Sequence, residues 1–162
     1  FIAADQDIID YLKYNLRSQM FAKSLPMIFV KGALKRLELL RNHPELKDQL
    51  WANVNRLQNG LKEKGFNIGD TNTCVTPVYL EGSIPEAMVM VNDLRENHGI
   101  FLSIVVYPVI PKGIILLRVI PTAMHTFDDI DQTLTAFETI RGQLVDGTYK
   151  TIAESKHVDM EA

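Results

Sequence analysis

Two apolar runs late in the chain, Leu102 to Tyr107 and Gly113 to Ile120, are separated by only five residues, 108–112. A parallel crossover needs about a dozen residues or more, so strands joined this tightly pair antiparallel. The second run also carries a cation. Ile114 to Ile120 is apolar except at Arg118, and a run of this kind reads as a buried strand. Arg is almost never fully buried without a partner, because an unpaired buried charge costs on the order of several kcal/mol or more. Side chains alternate along a strand. That puts Arg118 with Leu116 and Ile120, opposite Leu117 and Val119. Arg118 therefore meets a protein carboxylate, lays its stem on the sheet with its head in water, or clamps an anionic ligand. The planar guanidinium suits the last role better than Lys does.

The remaining sequence is mostly helical. Asp5 is placed to cap a first helix carrying Ile8, Ile9, Leu12 and Leu16 at helical spacing. Pro26 suits the first turn of a second helix, strongly apolar from Ile28 to Leu40. His43-Pro44 separates it from a third, whose Leu46, Leu50, Val54, Leu57 and Leu61 make one face. Lys64-Gly65 stops that helix. Phe66 to Ile68 and Val75 to Leu80 read as strands, and Pro77 argues for an edge or a bulge. Ser83 and Thr126 are N-caps of two further helices, with Glu86 and Asp128-Asp129 in their first turns. Gly99 closes the first of these. Ile130, Leu134, Phe137 and Ile140 face inward on the second. After Gly142 the chain turns polar and is expected to fray. The order predicts an α+β two-layer fold, a small, mostly antiparallel sheet covered by helices.

Composition excludes several classes. The 162 residues suit about one domain. A net charge of -3 leaves no basic footprint, so no nucleic-acid partner is expected. No apolar run approaches the roughly 18 residues of a membrane span. Cys74 is the only cysteine, which excludes an internal disulfide and fits a cytoplasmic location. Its neighbours in Asn72-Thr-Cys-Val-Thr-Pro77 include no His or Lys to activate the thiol. His43, His98, His125 and His157 are scattered, without metal-ligand spacing, and no phosphate loop or nucleophile elbow occurs. The residues alone assign no catalytic group and no metal.

Four other positions carry polar or charged groups of interest. Ser24 precedes the second helix and either caps it or helps its free N–H groups hold a phosphate, with Lys23 beside it. Lys112 sits in the loop before the Arg118 strand and is expected to be exposed. His125 reads as a polar residue just ahead of the Thr126 cap. The chain opens on Phe1-Ile-Ala-Ala-Asp5 rather than Met. That apolar opening looks like the second half of a strand, so the chain is expected to be a piece of a longer protein.

The blocks Tyr107-Pro-Val-Ile-Pro-Lys-Gly113, Leu117-Arg-Val119 and Thr122-Ala-Met-His-Thr126 carry a resemblance. With Leu46-Lys-Asp-Gln-Leu-Trp-Ala-Asn53 and Phe21-Ala-Lys-Ser-Leu-Pro26, they make the chain similar to the C-terminal part of the α-oxoamine synthases. These are pyridoxal-phosphate enzymes of the aspartate aminotransferase fold. The branch it looks most like is glycine C-acetyltransferase (2-amino-3-ketobutyrate coenzyme A ligase). Lys23 departs from the small polar residue most members carry.

The resemblance implies the small C-terminal domain of a fold-type I enzyme. Residues 1–44 would link from a large domain and include an interdomain helix, 45–145 form the small domain, and 146–162 a polar tail. It implies condensation of an amino acid, glycine first, with an acyl-CoA, the cofactor acting as electron sink. Arg118 would grip the amino-acid carboxylate, and Ser24 would reach the cofactor phosphate across a homodimer. The family's cofactor-bonding lysine precedes the segment at which this chain begins, so the piece alone is expected to be inactive. Serine palmitoyltransferase and 8-amino-7-oxononanoate synthase are alternative members, and a non-catalytic α/β interaction module is the reading of a different class. A piece of a larger enzyme should also expose apolar area, with residues 28–40 the first candidates.

Overall fold

The computed structural model describes residues 2–22 and 24–160, with side chains through Ser155. The chain divides into two compact units, Phe1–His43 and Pro44–Ala162.

The first unit is helical: α1 (Gln6–Asn15), the single turn α2 (Arg17–Met20) and α3 (Met27–Asn42). Residues 2–5 form no strand, contrary to expectation. Asp5 occupies the N-cap of α1, but it accepts there through its backbone carbonyl, from Ile8 and Ile9, and its side chain makes no cap bond. Pro26 is the N-cap of α3 rather than a first-turn residue. No residue of α3 is buried, and Met27, Ile28, Phe29, Leu34 and Leu40 are all more than half exposed. The apolar area expected on residues 28–40 is therefore present.

The second unit has the order α4 (Pro44–Glu63), β1 (Thr76–Glu81), α5 (Ile84–Glu96), β2 (Ser103–Val105), β3 (Ile114–Val119), α6 (Phe127–Val145) and α7 (Thr148–Met160). The three strands form an antiparallel sheet in the order β1-β3-β2. The tight connection thus gives the antiparallel β2–β3 pair its spacing required. β2 is shorter than the apolar run from Leu102 to Tyr107, and Phe66 to Ile68 yields only a single bridge, Asn67 to Tyr79. Pro77 lies on the edge strand β1. The Tyr79 N–H, two residues on, points outward to the Asn67 carbonyl. By strand alternation the missing Pro77 N–H belongs to that same outer edge, where the β1–β3 ladder loses nothing.

One face of the sheet is packed. Val78 and Leu80 of β1 and Ile115, Leu117 and Val119 of β3 join Leu57 and Leu61 of α4, Met90 and Leu94 of α5, and Leu134, Phe137 and Ile140 of α6 in a single core. The expected inward faces of α4 and α6 are correct in their central turns, although Leu46 at the start of α4 is exposed. Gly60 sets the approach of α4 to α6, because a Cβ there would overlap the Leu134 methyls. Ser83 and Thr126 each cap their helix in a capping box, with Glu86 and Asp129 as reciprocal partners. The other face carries Pro77, Tyr79 and Glu81 of β1 and Leu116 and Arg118 of β3, and is open.

Through residue 160 the segment after Gly142 is largely helical rather than frayed. α6 continues to Val145, Gly147 turns the chain at φ +80, and α7 follows. Tyr149 is 1% exposed and belongs to the core. Its hydroxyl lies 2.7 Å from the Asp93 carboxylate of α5 and 2.6 Å from Gln143 Oε1. Burial opposes ionisation of Asp93, yet hydrogen bonds from Asn97 and Tyr149 outweigh it and hold the carboxyl below its ordinary range. Burial, then Asp93 itself, pushes the Tyr149 hydroxyl far above its usual value, so it stays a neutral donor.

Candidate anion-binding site at one end of the sheet

Arg118 sits on the central strand, with Pro77 of β1 and Ser103 of β2 directly opposite it. Leu117 and Val119 on either side of it point into the core, as alternation requires. Arg118 itself is exposed. The run from Ile114 to Ile120 is therefore buried on one face only, and the expected problem of a cation in a buried strand does not arise within this chain. Its Nε donates to Ser103 Oγ at 2.9 Å. Among the described residues no carboxylate pairs with the guanidinium. Among the described residues the Nη groups have no hydrogen-bond partner, and the ladder partners of Arg118, Pro77 and Ser103, are uncharged. Glu81, the acid on the open face, stands opposite Ile114 at the far end of the ladder.

The start of β1, the start of β2 and the end of β3 converge at this end of the sheet. Phe101, just before β2, is 88% exposed, and Ile120, just after β3, is half exposed. A cleft of about 180 Å³ lies behind them, lined by Phe101, Ile120, His125, Asp129, Gln132 and Thr133 among others. The loop from Pro121 to Thr126 forms one wall and closes on itself. The Thr122 N–H donates to His125 Nδ1 at 3.0 Å, so in the neutral ring the proton resides on Nε2. The cap at Thr126 keeps Asp129 ionised: the Thr126 backbone N–H and then its hydroxyl hold that carboxyl below the usual range.

Asn53 fixes this loop from below. It is completely buried on α4. Its Nδ2 donates to the carbonyls of Thr122 at 2.9 Å and His125 at 2.8 Å, and its Oδ1 accepts from Gln49 at 3.2 Å. An apolar replacement of similar size, Asn53→Leu, strands these partners. The expected loss is about 2 kcal/mol, seen as a thermal midpoint lower by about 8 °C. An unchanged midpoint would show that water replaces the amide without penalty.

The other positions read from sequence lie elsewhere. Lys112 is exposed, with Nζ 5.1 Å from the centroid of the Tyr107 ring, in the loop at the opposite end of β3 from Arg118. Tyr107-Pro108 in that loop is a cis peptide bond. Cys74 is a half-buried free thiol. Ser24 belongs to the first unit, is exposed, and does not cap α3; Lys23 lies outside the described residues. Among the described residues no group of three or more His, Cys, Asp or Glu side chains is placed to hold a metal ion, and no helix is long and apolar enough to cross a membrane. Sequence reasoning missed Ser103 and Asn53. Ser103 left a readable signal as the one polar side chain between Ile100 and Val106.

Residues 1–137 match the family of aminotransferase class I and II. A cysteate-C-fatty acyltransferase of Capnocytophaga ochracea is 73% identical over 152 residues, which cover 94% of this chain and 36% of that protein. A serine palmitoyltransferase of Sphingobacterium spiritivorum is 37% identical over 134 residues, 83% of this chain and 33% of that protein. An 8-amino-7-oxononanoate synthase of Exiguobacterium sibiricum is 34% identical over 145 residues, 89% of this chain and 36% of that protein. Among solved structures, a high-resolution structure of SPT with its PLP internal aldimine matches with a TM-score of 0.75 at 26% identity, over 88% of this chain and 36% of that chain. The chain thus spans about a third of the length of the curated relatives it matches. It belongs to the aminotransferase class I and II family, and the three relatives named above are α-oxoamine synthases.

Proposed function

We propose that this chain is the C-terminal part of a pyridoxal-phosphate-dependent acyltransferase that joins an amino acid to an acyl-CoA, and that Arg118 grips the amino-acid carboxylate. The observation that carries the reading is the guanidinium on the open face of the sheet. It is held by Ser103 through Nε and has no carboxylate partner among the described residues. Two Nη groups side by side match the two oxygens of a carboxylate. The apolar neighbours Pro77, Leu116 and Ile120 strengthen such a pair once the site is closed from water.

Pyridoxal phosphate, when bound, supplies the electron sink for the Cα carbanion. This chain contributes substrate orientation through Arg118. It also offers Ser24, whose exposed hydroxyl does no capping work, beside the first N–H groups of α3, which have no intrahelical partner. That donor set suits a phosphate, and in our reading it meets the cofactor phosphate across a homodimer. The single free cysteine fits a cytoplasmic enzyme.

For the substrates, the resemblance of the loop from Tyr107 to Gly113 favoured glycine. The 73% identity to a cysteate-C-fatty acyltransferase supports cysteate and a fatty acyl donor instead, and that is the assignment we adopt. The test is turnover by the full-length protein with cysteate, glycine, serine and alanine against short and long acyl-CoAs. Highest kcat/KM is expected for cysteate with a long acyl chain. Preference for glycine with a short acyl donor would reverse the substrate assignment, and no turnover with any pair would leave a non-catalytic module.

A further inference from the structure

We propose that Ser103 is the positioning residue of the Arg118 clamp, accepting the Nε–H hydrogen bond so that only the paired Nη groups are left for the substrate. The inference rests on reading Arg118 as a carboxylate clamp. A guanidinium can meet a carboxylate along two bidentate edges, Nη1 with Nη2 at its end or Nε with Nη2 at its side. In this chain the Nε–H donates to Ser103 Oγ at 2.9 Å, so the side edge is closed and the end edge remains.

The geometry of the sheet makes this a built contact. Ser103 is the ladder partner of Arg118 across β2 and β3, and cross-strand partners present their side chains on the same face. The partner on the other flank is Pro77, whose side chain has no polar atom. The guanidinium is therefore tethered from one side only, and the tether fixes the rotation of its plane. Ser103 is half-buried in the strand, whereas the Arg118 side chain is exposed, so the hydroxyl is the less mobile partner. Among the described residues nothing accepts the Ser103 O–H proton, which leaves a third donor on the same face for a ligand oxygen. The ligand chemistry selected is a planar two-oxygen anion approached end-on. A long, rotamer-rich side chain held this way loses less freedom when it binds.

The test uses the full-length holoenzyme, with amino-acid KM from kinetics and amino-acid Kd from calorimetry, so that a slow variant still gives a reading. Ser103→Ala should raise both constants about tenfold, the size of one lost charge-assisted hydrogen bond, while kcat and the acyl-CoA KM stay within about twofold. Ser103→Thr keeps the hydroxyl and should return both constants to within about twofold of wild type. In an Arg118→Lys background, which has no Nε, Ser103→Ala should add nothing. An unchanged Kd in Ser103→Ala, or the same loss in both backgrounds, overturns the role of Ser103 while Arg118 stands. If Arg118→Lys and Arg118→Ala leave amino-acid affinity at the wild-type value, the clamp reading itself fails and this inference falls with it.

Discussion

Arg118→Ala in the full-length enzyme is expected to lower kcat/KM for the amino acid by roughly 100-fold, with the fold intact. Two charge-assisted hydrogen bonds to a carboxylate contribute about 1.5–3 kcal/mol each when desolvated. Incomplete exclusion of water discounts that sum, and about 2.7 kcal/mol corresponds to the stated factor. The loss should fall on the amino acid. The acyl-CoA KM should not move, because the side-chain hydrogen bond described for Arg118 goes to Ser103 alone. Arg118→Lys keeps the charge and loses the fork, so it should lie between wild type and Arg118→Ala rather than beside wild type. Thermal unfolding separates this outcome from damage. Arg118 is exposed and has one side-chain hydrogen bond, so Arg118→Ala should shift the midpoint by no more than about 2 °C. Unchanged kinetics in a normally folded Arg118→Ala protein would make the residue an ordinary surface cation.

The sequence carried the Arg118 strand further than it carried the site. Alternation put Leu117 and Val119 on the face opposite Arg118, and the structure agrees, because a period of two is enforced by the backbone. What alternation could not supply was whether the second face is covered. Leu116 and Ile120 are apolar, so the run looked buried on both sides. Within this unit that face is open. The two capping boxes were legible because Ser83 with Glu86 and Thr126 with Asp129 are local in sequence. Asn53 was not, since its carbonyl partners are 69 and 72 residues away. Ser103 lay between. A hydroxyl in an apolar strand is visible, but its meeting with Arg118 depends on the ladder register, which the sequence did not specify.

The segment after Gly142 departs furthest from what its composition suggests, and its one buried aromatic, Tyr149, carries a large expected loss of stability. Residues after Gly142 are polar on average, and average polarity says nothing about one aromatic side chain. Tyr149 is fully enclosed and joins α7 to α5 through Asp93. Tyr149→Ala removes a large core ring and the Asp93 partner together. The expected loss is about 4 kcal/mol. Tyr149→Phe keeps the ring and removes only the donor, and should lose about 1–2 kcal/mol near neutral pH. The two variants therefore separate packing from hydrogen bonding. The hydrogen-bonding part has a pH signature. Asp93 is held below its ordinary value of 3.8 in the folded chain. A depressed carboxyl stabilises the fold above the unfolded-state value, and that contribution disappears as pH falls through the folded value. The gap between wild type and Tyr149→Phe in urea unfolding should be constant above about pH 5 and close as the carboxyl protonates below 3.8. The packing loss in Tyr149→Ala should persist throughout. A Tyr149→Phe gap that stays level down to the acid limit of the native state would mean that the hydroxyl serves Gln143 rather than the Asp93 charge.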